Sequence, residues 1–571
     1  MPNSHPRNLL RWAGFGSLGI ARADARPRRA LLVPVFLLAV VLSGCTPFGE
    51  YLRNGLKVGP NYRTPPAPVA EDWIDAIDKR VRTDEDDLAG WWTIFNDPLL
   101  NNLMADAYRQ NLTLRQAGYR ILAARAQLGI ATGQFFPQAQ FADGSFQRIA
   151  AGTTSFNNVN VGFAAGWELD FWGRFRRAII AAEDNLDASV FDYDDVLVTL
   201  LGDVASNYVQ YRTTQERIRL LSNIIGIQRD VLTFIENQLR LGAVFELDRA
   251  QAASNLRQSM GQMNQLQIDL RTTQNQLCIL LGMPTTDLSR LLDSGPKKSI
   301  PTTPDYVVVG IPADLLRRRP DVRRAERLAA AQAEFIGIAI SDWYPAISIS
   351  GNLGWSAASF STLFRPETFN GSMGPSFQWN LLNYGRILNN VRLQDARFRE
   401  LVVAYQNLVL QADLEVENGI VTFLQAQERE RNLGASVDEA YIALGAIVGQ
   451  YEEGLAGVDF NRYAVIQQSL VQQQDSWAQS RGQIAQGLIA VYRALGGGWQ
   501  IKCNMVPDKQ GILSPLPPVE PAGELVPPPL EPIDRSGELL PAPGNNLLPA
   551  PAENGLPERL PGDKPRAETE F

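Results

Sequence analysis

From Asn157 to Trp172 the chain alternates with a period of two. Val159, Val161, Phe163, Ala165, Trp167, Leu169 and Phe171 fall on one face, and Asn158, Asn160, Gly162, Ala164, Gly166, Glu168 and Asp170 on the other. The same split recurs at Ile347, Ile349, Leu353 and Trp355 against Ser348, Ser350, Asn352 and Gly354, and again at Met373, Phe377, Trp379 and Leu381 against Gly374, Ser376, Gln378 and Asn380. Alternation of apolar with small or polar residues over about ten positions suits a membrane β-strand with lipid on one side and water on the other. A half-buried strand of a soluble sheet alternates in the same way, and the aromatics Trp167, Phe171 and Trp172 at a strand end favour the membrane. A fourth strand, near Gln138 to Phe146, alternates poorly.

Beyond Trp172 the period changes. No proline occurs between Pro137 and Pro284, or between Pro375 and Pro507, which permits helices of unusual length. The pattern predicts helices over residues 174–241 and 246–282, and again over 385–453 and 459–495. A helix of the first kind is about 100 Å long and too charged to lie in a bilayer, so it must pack on others outside one.

The two halves repeat. Pro137 and Ala117 match Pro345 and Ala325 at an offset of 208; Gly173-Arg174 and Gly242 match Gly385-Arg386 and Gly454 at 212; Leu281-Gly282 matches Leu495-Gly496 at 214. The organisation expected is an N-terminal segment over 45–95, a first repeat over 96–284 with its hairpin near 137–172, a linker over 285–310, and a second repeat over 311–500 with its hairpin near 345–382. The fold class is α+β: four transmembrane strands per chain together with long antiparallel helices. Four strands cannot close a barrel, and open edges are not tolerated in lipid. Two copies supply eight strands and a packed interior, whereas Gly, Ser, Ala and Asn on the inner face suit an open, wet pore and so three or more copies. Glutamines on the returning helices, among them Gln258, Gln262, Gln472 and Gln473, fit a wet lumen or plain solvated faces equally well.

Residues 1–44 carry arginines, an apolar stretch from Ala30 to Val41, and then Leu42-Ser43-Gly44-Cys45. The stretch is too short to span a bilayer and reads as a lipoprotein signal peptide, with Cys45 the lipidated first residue of the mature chain. Its removal leaves 47 Lys and Arg against 60 Asp and Glu, a balance of −13 that argues against nucleic acid as a partner. It also removes His5, the only histidine, and Cys278 and Cys503 form no CxxC pair. With no histidine and no cofactor motif, neither an enzyme nor a metal or cofactor site is expected.

Val58-Gly59-Pro60-Asn61-Tyr62, Trp91-Trp92 with Asp97-Pro98, Ile311-Pro312-Ala313-Asp314-Leu315-Leu316-Arg317-Arg318-Arg319-Pro320-Asp321-Val322, Trp343-Tyr344-Pro345 and Leu495-Gly496-Gly497-Gly498-Trp499 together resemble the OprM/NodT type of TolC-like outer-membrane factors. The resemblance covers roughly residues 45–500. It implies a homotrimer with a twelve-strand barrel in the outer membrane and a twelve-helix α-barrel in the periplasm. Its implied partners are a periplasmic adaptor and an inner-membrane pump, of resistance-nodulation-division type among others. The resemblance also implies that adaptor-docking turns contain Leu241, Gly242, Glu246, Asp248, Gly454, Leu455 and Gly457, with a gate near Asp459, Arg462, Tyr463 and Ile466. Asp248 and Asp459 suit plain helix capping as well. Where relatives place a gate carboxylate this chain has Ile466, which points to an apolar or arginine-based constriction. Arg317, Arg318 and Arg319 are read as anchors between segments.

Residues 501–571 hold 16 of the 36 prolines without periodicity and are expected to stay extended and disordered. The function expected is a passive duct for small-molecule efflux. The same duct serving metal-ion or type I protein secretion is an alternative, and so, in another class, is a periplasmic coiled-coil scaffold lipoprotein without a pore.

Overall fold

Where the chain alternates with period two it is strand, and where it lacks proline it is helix. The computed structural model describes residues 48–84, 88–293, 299–452, 460–504, 506–507 and 513–514. Helix α1 (Phe48–Arg53) leads through an extended segment to β1 (Val81–Arg82), a 3-10 stretch (Leu88–Phe95), α2 (Pro98–Gln110) and α3 (Leu112–Gly133). Strands β2 (Ala139–Ala151) and β3 (Thr154–Leu169) form a hairpin, followed by α4 (Arg174–Arg240), α5 (Glu246–Leu280) and the short α6 (Ser289–Leu292). The second half runs through β4 (Val307–Val308), α7 (Leu315–Arg318), α8 (Pro320–Ser341), β5 (Ala346–Ala357), β6 (Phe369–Gln378), α9 (Arg386–Glu452), α10 (Phe460–Ala494) and α11 (Ile501–Asn504). The repeat seen in the sequence is a repeat of elements. Helices α4 and α9 each have 67 residues, α5 and α10 each have 35, and α3 and α8 each have 22.

The four long strands form one antiparallel sheet in the order β2-β3-β5-β6. Its register puts Phe146, Val159 and Ala357 in one row, Val161, Trp355 and Phe369 in the next, then Phe163 with Leu353, Trp167 with Ile349, and Leu169, Ile347 and Phe377. With Ala165, Gly351 and Met373 in the row between Phe163 and Trp167, these rows make an apolar face interrupted by Gln140 on the edge strand β2. On the opposite face lie Asp143, Gly162, Gly354 and Asn370, then Ala164, Asn352 and Ser372, then Gly166, Ser350 and Gly374. The weak alternation of β2 has a cause: Phe141 pairs with Ala164 and so stands on the polar face. Strand β3 stops at Leu169 although the alternation continues to Trp172. The Asp170 carboxylate turns to accept from the backbone N–H groups of Phe175 (3.0 Å) and Arg176 (3.1 Å), which begins α4 instead of lengthening the strand.

The helices form a layer in the same order as the strands. α4 packs on α3 and α5 on one side and on α8 and α10 on the other, and α9 packs on α8 and α10. α3 continues the line of α5, where the Asn111 amide donates to Leu280 O at 2.9 Å. α8 continues the line of α10, where the Arg319 guanidinium donates to Ala494 O at 2.9 Å. Each junction has a glycine in the left-handed region, Gly282 (φ +70°) and Gly496 (φ +72°), and a side chain on either would strike backbone, at Gln110 O and Arg318 O respectively. The repeated Leu-Gly dipeptide is therefore the hinge between stacked helices. Since α3 leads into β2 and β6 leads into α9, edge strands connect to edge helices. Among the described residues no helix is long and apolar enough to cross a membrane.

The main core lies outside the helical layer at mid-height. Trp91, Trp92, Phe95, Leu100 and Leu103 bury against Leu197, Leu201 and Tyr208 of α4 and Leu488 and Tyr492 of α10. Several polar groups drawn into it are paired, although the Trp91 indole N–H is buried without a partner. The Tyr208 hydroxyl donates to Asp97 at 2.6 Å, and the buried Arg212 donates to Leu292 O at 2.7 Å.

Candidate functional site

The candidate sites of such a wall of helices are its end, its bare face and its attachment to the sheet. At the end remote from the sheet, α4 closes with Gly242 at φ +72°, and the N–H groups of Leu241, Gly242 and Ala243 return to the last carbonyls of the helix. Phe245 is extended and precedes α5; its N–H donates to the Asp248 carboxylate at 3.0 Å. Asp248 thus caps, while phenylalanine has no side-chain acceptor to return the bond. Glu246 pairs with Arg249 on the first turn. Leu241, Phe245 and Leu247 are each at least three-quarters exposed, so the turn offers an apolar tip on a charged stem. In the second turn Gly454, Leu455, Gly457 and Asp459 lie outside the described residues, as does Cys45.

Next to this end, Tyr463 is buried with Phe460 and Ala464 against Ile235 of α4, Ala252 of α5 and Ile447 of α9, and Ile466 is half-buried at the margin. Tyr463 is therefore inside the wall, where its hydroxyl accepts from the Gln467 amide at 3.0 Å and burial pushes its pKa up. Arg462, one residue before, is exposed. Further up, polar ties cross between helices: Arg217 to Asp475 at 2.6 Å, Trp477 to Glu430 at 2.9 Å, and the Gln486 amide to Ser206 O at 2.7 Å.

The wall's other face, turned away from the equatorial core, holds a polar cleft of about 540 Å³ where α8 meets α10. Asp195, Ser206, Arg319, Glu415, Gln486 and Arg493 line it. Arg319 is buried and joins Asp321 (2.7 Å), Glu415 of α9 (2.6 Å) and the last carbonyl of α10, so it anchors three elements. Arg318 pairs with Asp314 at 3.6 Å and Arg317 is exposed. Burial, then repulsion from Asp321, pushes the Asp195 carboxyl up to about 6.

Under the sheet the extended segment after α1 is clamped by two arginines that sequence reading passed over. Arg177 is fully buried; it donates to Glu334 of α8 at 2.6 Å and to the carbonyls of Val58 (2.8 Å) and Gly59 (2.9 Å). Arg176 donates to Asp170, to Gly55 O at 2.6 Å and to Leu56 O at 2.8 Å. Gly337 leaves the room that Arg177 occupies. Trp172 stacks on Tyr344 with centroids 4.5 Å apart and donates to Pro345 O at 2.8 Å. The Val58-Gly59 and Tyr344-Pro345 motifs meet here. The one signal in the sequence was a pair of arginines just after a strand end, which also suits an ordinary helix start. Among the described residues no three His, Cys, Asp or Glu gather as a metal site.

Comparison with known proteins agrees with this architecture. The family described as outer membrane efflux protein matches residues 103–283 and 311–497. Nodulation protein T of Rhizobium leguminosarum bv. trifolii is 28% identical over 444 residues, which is 76% of this chain and 94% of that protein. Outer membrane protein OprJ of Pseudomonas aeruginosa is 28% identical over 488 residues, 84% of this chain and 98% of that one. The solved outer-membrane channel OprN superposes with a TM-score of 0.72 at 29% identity, over 78% of this chain and 99% of its own. The Campylobacter jejuni CmeC channel has the same fold, with a TM-score of 0.71 at 23% identity, over 77% of this chain and 95% of that one. With hairpins, stacked helices and a family match that spans both repeats, the chain belongs to the outer membrane efflux proteins.

Proposed function

We propose that three copies of this chain close one continuous duct, a twelve-strand barrel in the outer membrane standing on twelve rows of helix in the periplasm. The observation that carries this reading is the coincidence of open edges. The sheet ends at β2 and β6, and the helical layer ends at α3 with α5 and at α9; of these, α3 and α9 are joined directly to the two edge strands. An open strand edge is not stable in lipid, and closure by further copies satisfies both layers at once. The helical flanks are apolar to match. Leu112, Tyr119, Leu122 and Ile130 on α3 are more than half exposed, as are Val403, Leu410, Leu414 and Ile442 on α9.

In this reading the duct is a passive conduit without catalytic chemistry, and Cys45 carries the lipid that addresses the chain to the membrane. Small molecules enter from a periplasmic adaptor and an inner-membrane pump, of resistance-nodulation-division type. The tip of Leu241, Phe245 and Leu247 receives the adaptor, and the second turn with Gly454, Leu455 and Gly457 does the same by symmetry of the repeat. Arg462 narrows the pore beside the packed Tyr463 and Ile466, with Asp459 as a further gate residue. The apolar face of the sheet disfavours a scaffold without a pore, since such a protein has no use for it.

The test is export in cells that lack the native gene. The unaltered chain restores dye efflux. Phe245→Asp with Leu247→Asp does not, although the protein reaches the outer membrane at the same level. Full efflux from the doubly substituted tip would refute the assignment of docking to this turn.

A further inference from the structure

Residues 358–368, which join β5 to β6 at the end of the sheet remote from the helices, do not rise away from the strands. They fold back onto the apolar face. Leu363 is buried there, and beneath it Val159 of β3 and Ala357 of β5 are buried too. Phe360 stacks on Phe146 of β2, with centroids 5.7 Å apart and planes 15° apart. Phe364 and Phe369 each meet Trp355 nearly edge-on at 5.5 Å. The segment has its own internal bonds: Thr362 N donates to Ser359 O at 3.2 Å, and the Thr368 hydroxyl to Arg365 O at 2.8 Å.

The register decides which side this is. Phe146, Val159 and Ala357 form one row and Val161, Trp355 and Phe369 the next, so the sheet residues that Phe360, Leu363 and Phe364 meet here belong to the apolar face. Phe360 and Phe364 nonetheless remain about two-thirds exposed, each with one side against a sheet aromatic and the rest of the ring open. The flap lies over β2, β3 and β5 of its own chain, so a copy pairing at the free edge of β6 does not cover it.

Its height on the sheet is also fixed. The rows from Val159 to Leu169 span ten residues. At about 3.4 Å per residue and a tilt of about 40°, they make an apolar band about 26 Å tall, the height of a membrane barrel's outer band. Trp167, Phe171 and Trp172 mark one boundary of the band and the flap marks the other. Continuity with the lipid-facing surface identifies the occupant.

We propose that residues 358–368 form a membrane-facing collar whose Phe360 and Phe364 rings enter the outer leaflet at its upper boundary and are covered by lipid acyl chains. The proposal rests on the sheet lying in the outer membrane, and the experiment separates the two claims. Phe364→Cys, in a full-length chain with Cys503→Ser, is labelled with bimane as the assembled oligomer. It is reconstituted in phosphatidylethanolamine and phosphatidylglycerol vesicles carrying a nitroxide near the top of the acyl chain. Leu353→Cys, in the middle of the band, and Phe156→Cys, near the tip of the β2–β3 hairpin, serve as lipid and water references. The label at 364 loses most of its emission to the nitroxide lipid and little to aqueous iodide. Quenching by iodide at 364 with lipid quenching retained at 353 overturns the collar alone. Iodide quenching at both sites overturns the membrane placement and the collar with it. If the oligomer fails to assemble with cysteine at 364, Phe360→Cys gives the same reading, because that ring is equally exposed.

Discussion

The strongest demand on single residues falls where the sheet meets the helices. Arg177 is buried with one carboxylate and two carbonyls as partners, and Glu334 is buried with it. Removing one member of such a set leaves the other charge stranded, a loss of about 3–5 kcal/mol. Arg177→Met therefore lowers the denaturation midpoint of the purified protein sharply and frees the segment near Val58 for proteolysis. Arg399→Ala, which breaks an exposed pair with Asp395, changes neither. Asp195 gives a pH signature. Its folded carboxyl titrates near 6, above its ordinary value, because of burial and Asp321, while Arg319 and Arg324 pull it down and Asp192 pushes it up. The folded state binds the extra proton, so stability falls as pH rises from about 4 through 6. Asp195→Asn accordingly raises the melting temperature at pH 8, and the gain vanishes at pH 4. A pH-independent gain would show that the carboxyl is not strained in this cleft.

At the scale of elements, close approach of helices depends on residues without side chains. A Cβ on Gly487 of α10 would lie 2.8 Å from the backbone nitrogen of Phe423 of α9, so Gly487→Leu forces the pair apart. Overpacking of this kind costs about 1–3 kcal/mol or more, and the yield of folded protein from the outer membrane drops, whereas Gly226→Leu on α4, with no atom near its Cβ position, is tolerated. The elements were legible in the sequence to the degree that one physical rule governed them. Proline-free runs with helical spacing gave the long helices, and period-two runs gave β3, β5 and β6. The rule failed at β2, where Phe141 occupies the polar face, and at residues 170–172, where a capping carboxylate outweighs the alternation. The arginine clamp was not legible, because its partners are backbone carbonyls more than a hundred residues away. Nor was the inward turn of Tyr463, because burial within a wall and exposure to a pore give the same residue types along a helix.

At the scale of the whole molecule, the matching order of strands and helices turns a half-finished sheet and a half-finished helical layer into one incomplete object. The 67-residue helices reach about 100 Å, three times the apolar thickness of a bilayer, so the duct lies mostly outside the membrane. In the proposed duct it is completed by more of the same chain, since each edge strand carries an edge helix beneath it. The most direct measurement is the mass of the protein extracted from the outer membrane in mild detergent and kept intact in native mass spectrometry. The account predicts a complex of three lipid-bearing chains with no other protein needed to hold it together. A monomer or a dimer that remains folded in the membrane would contradict it.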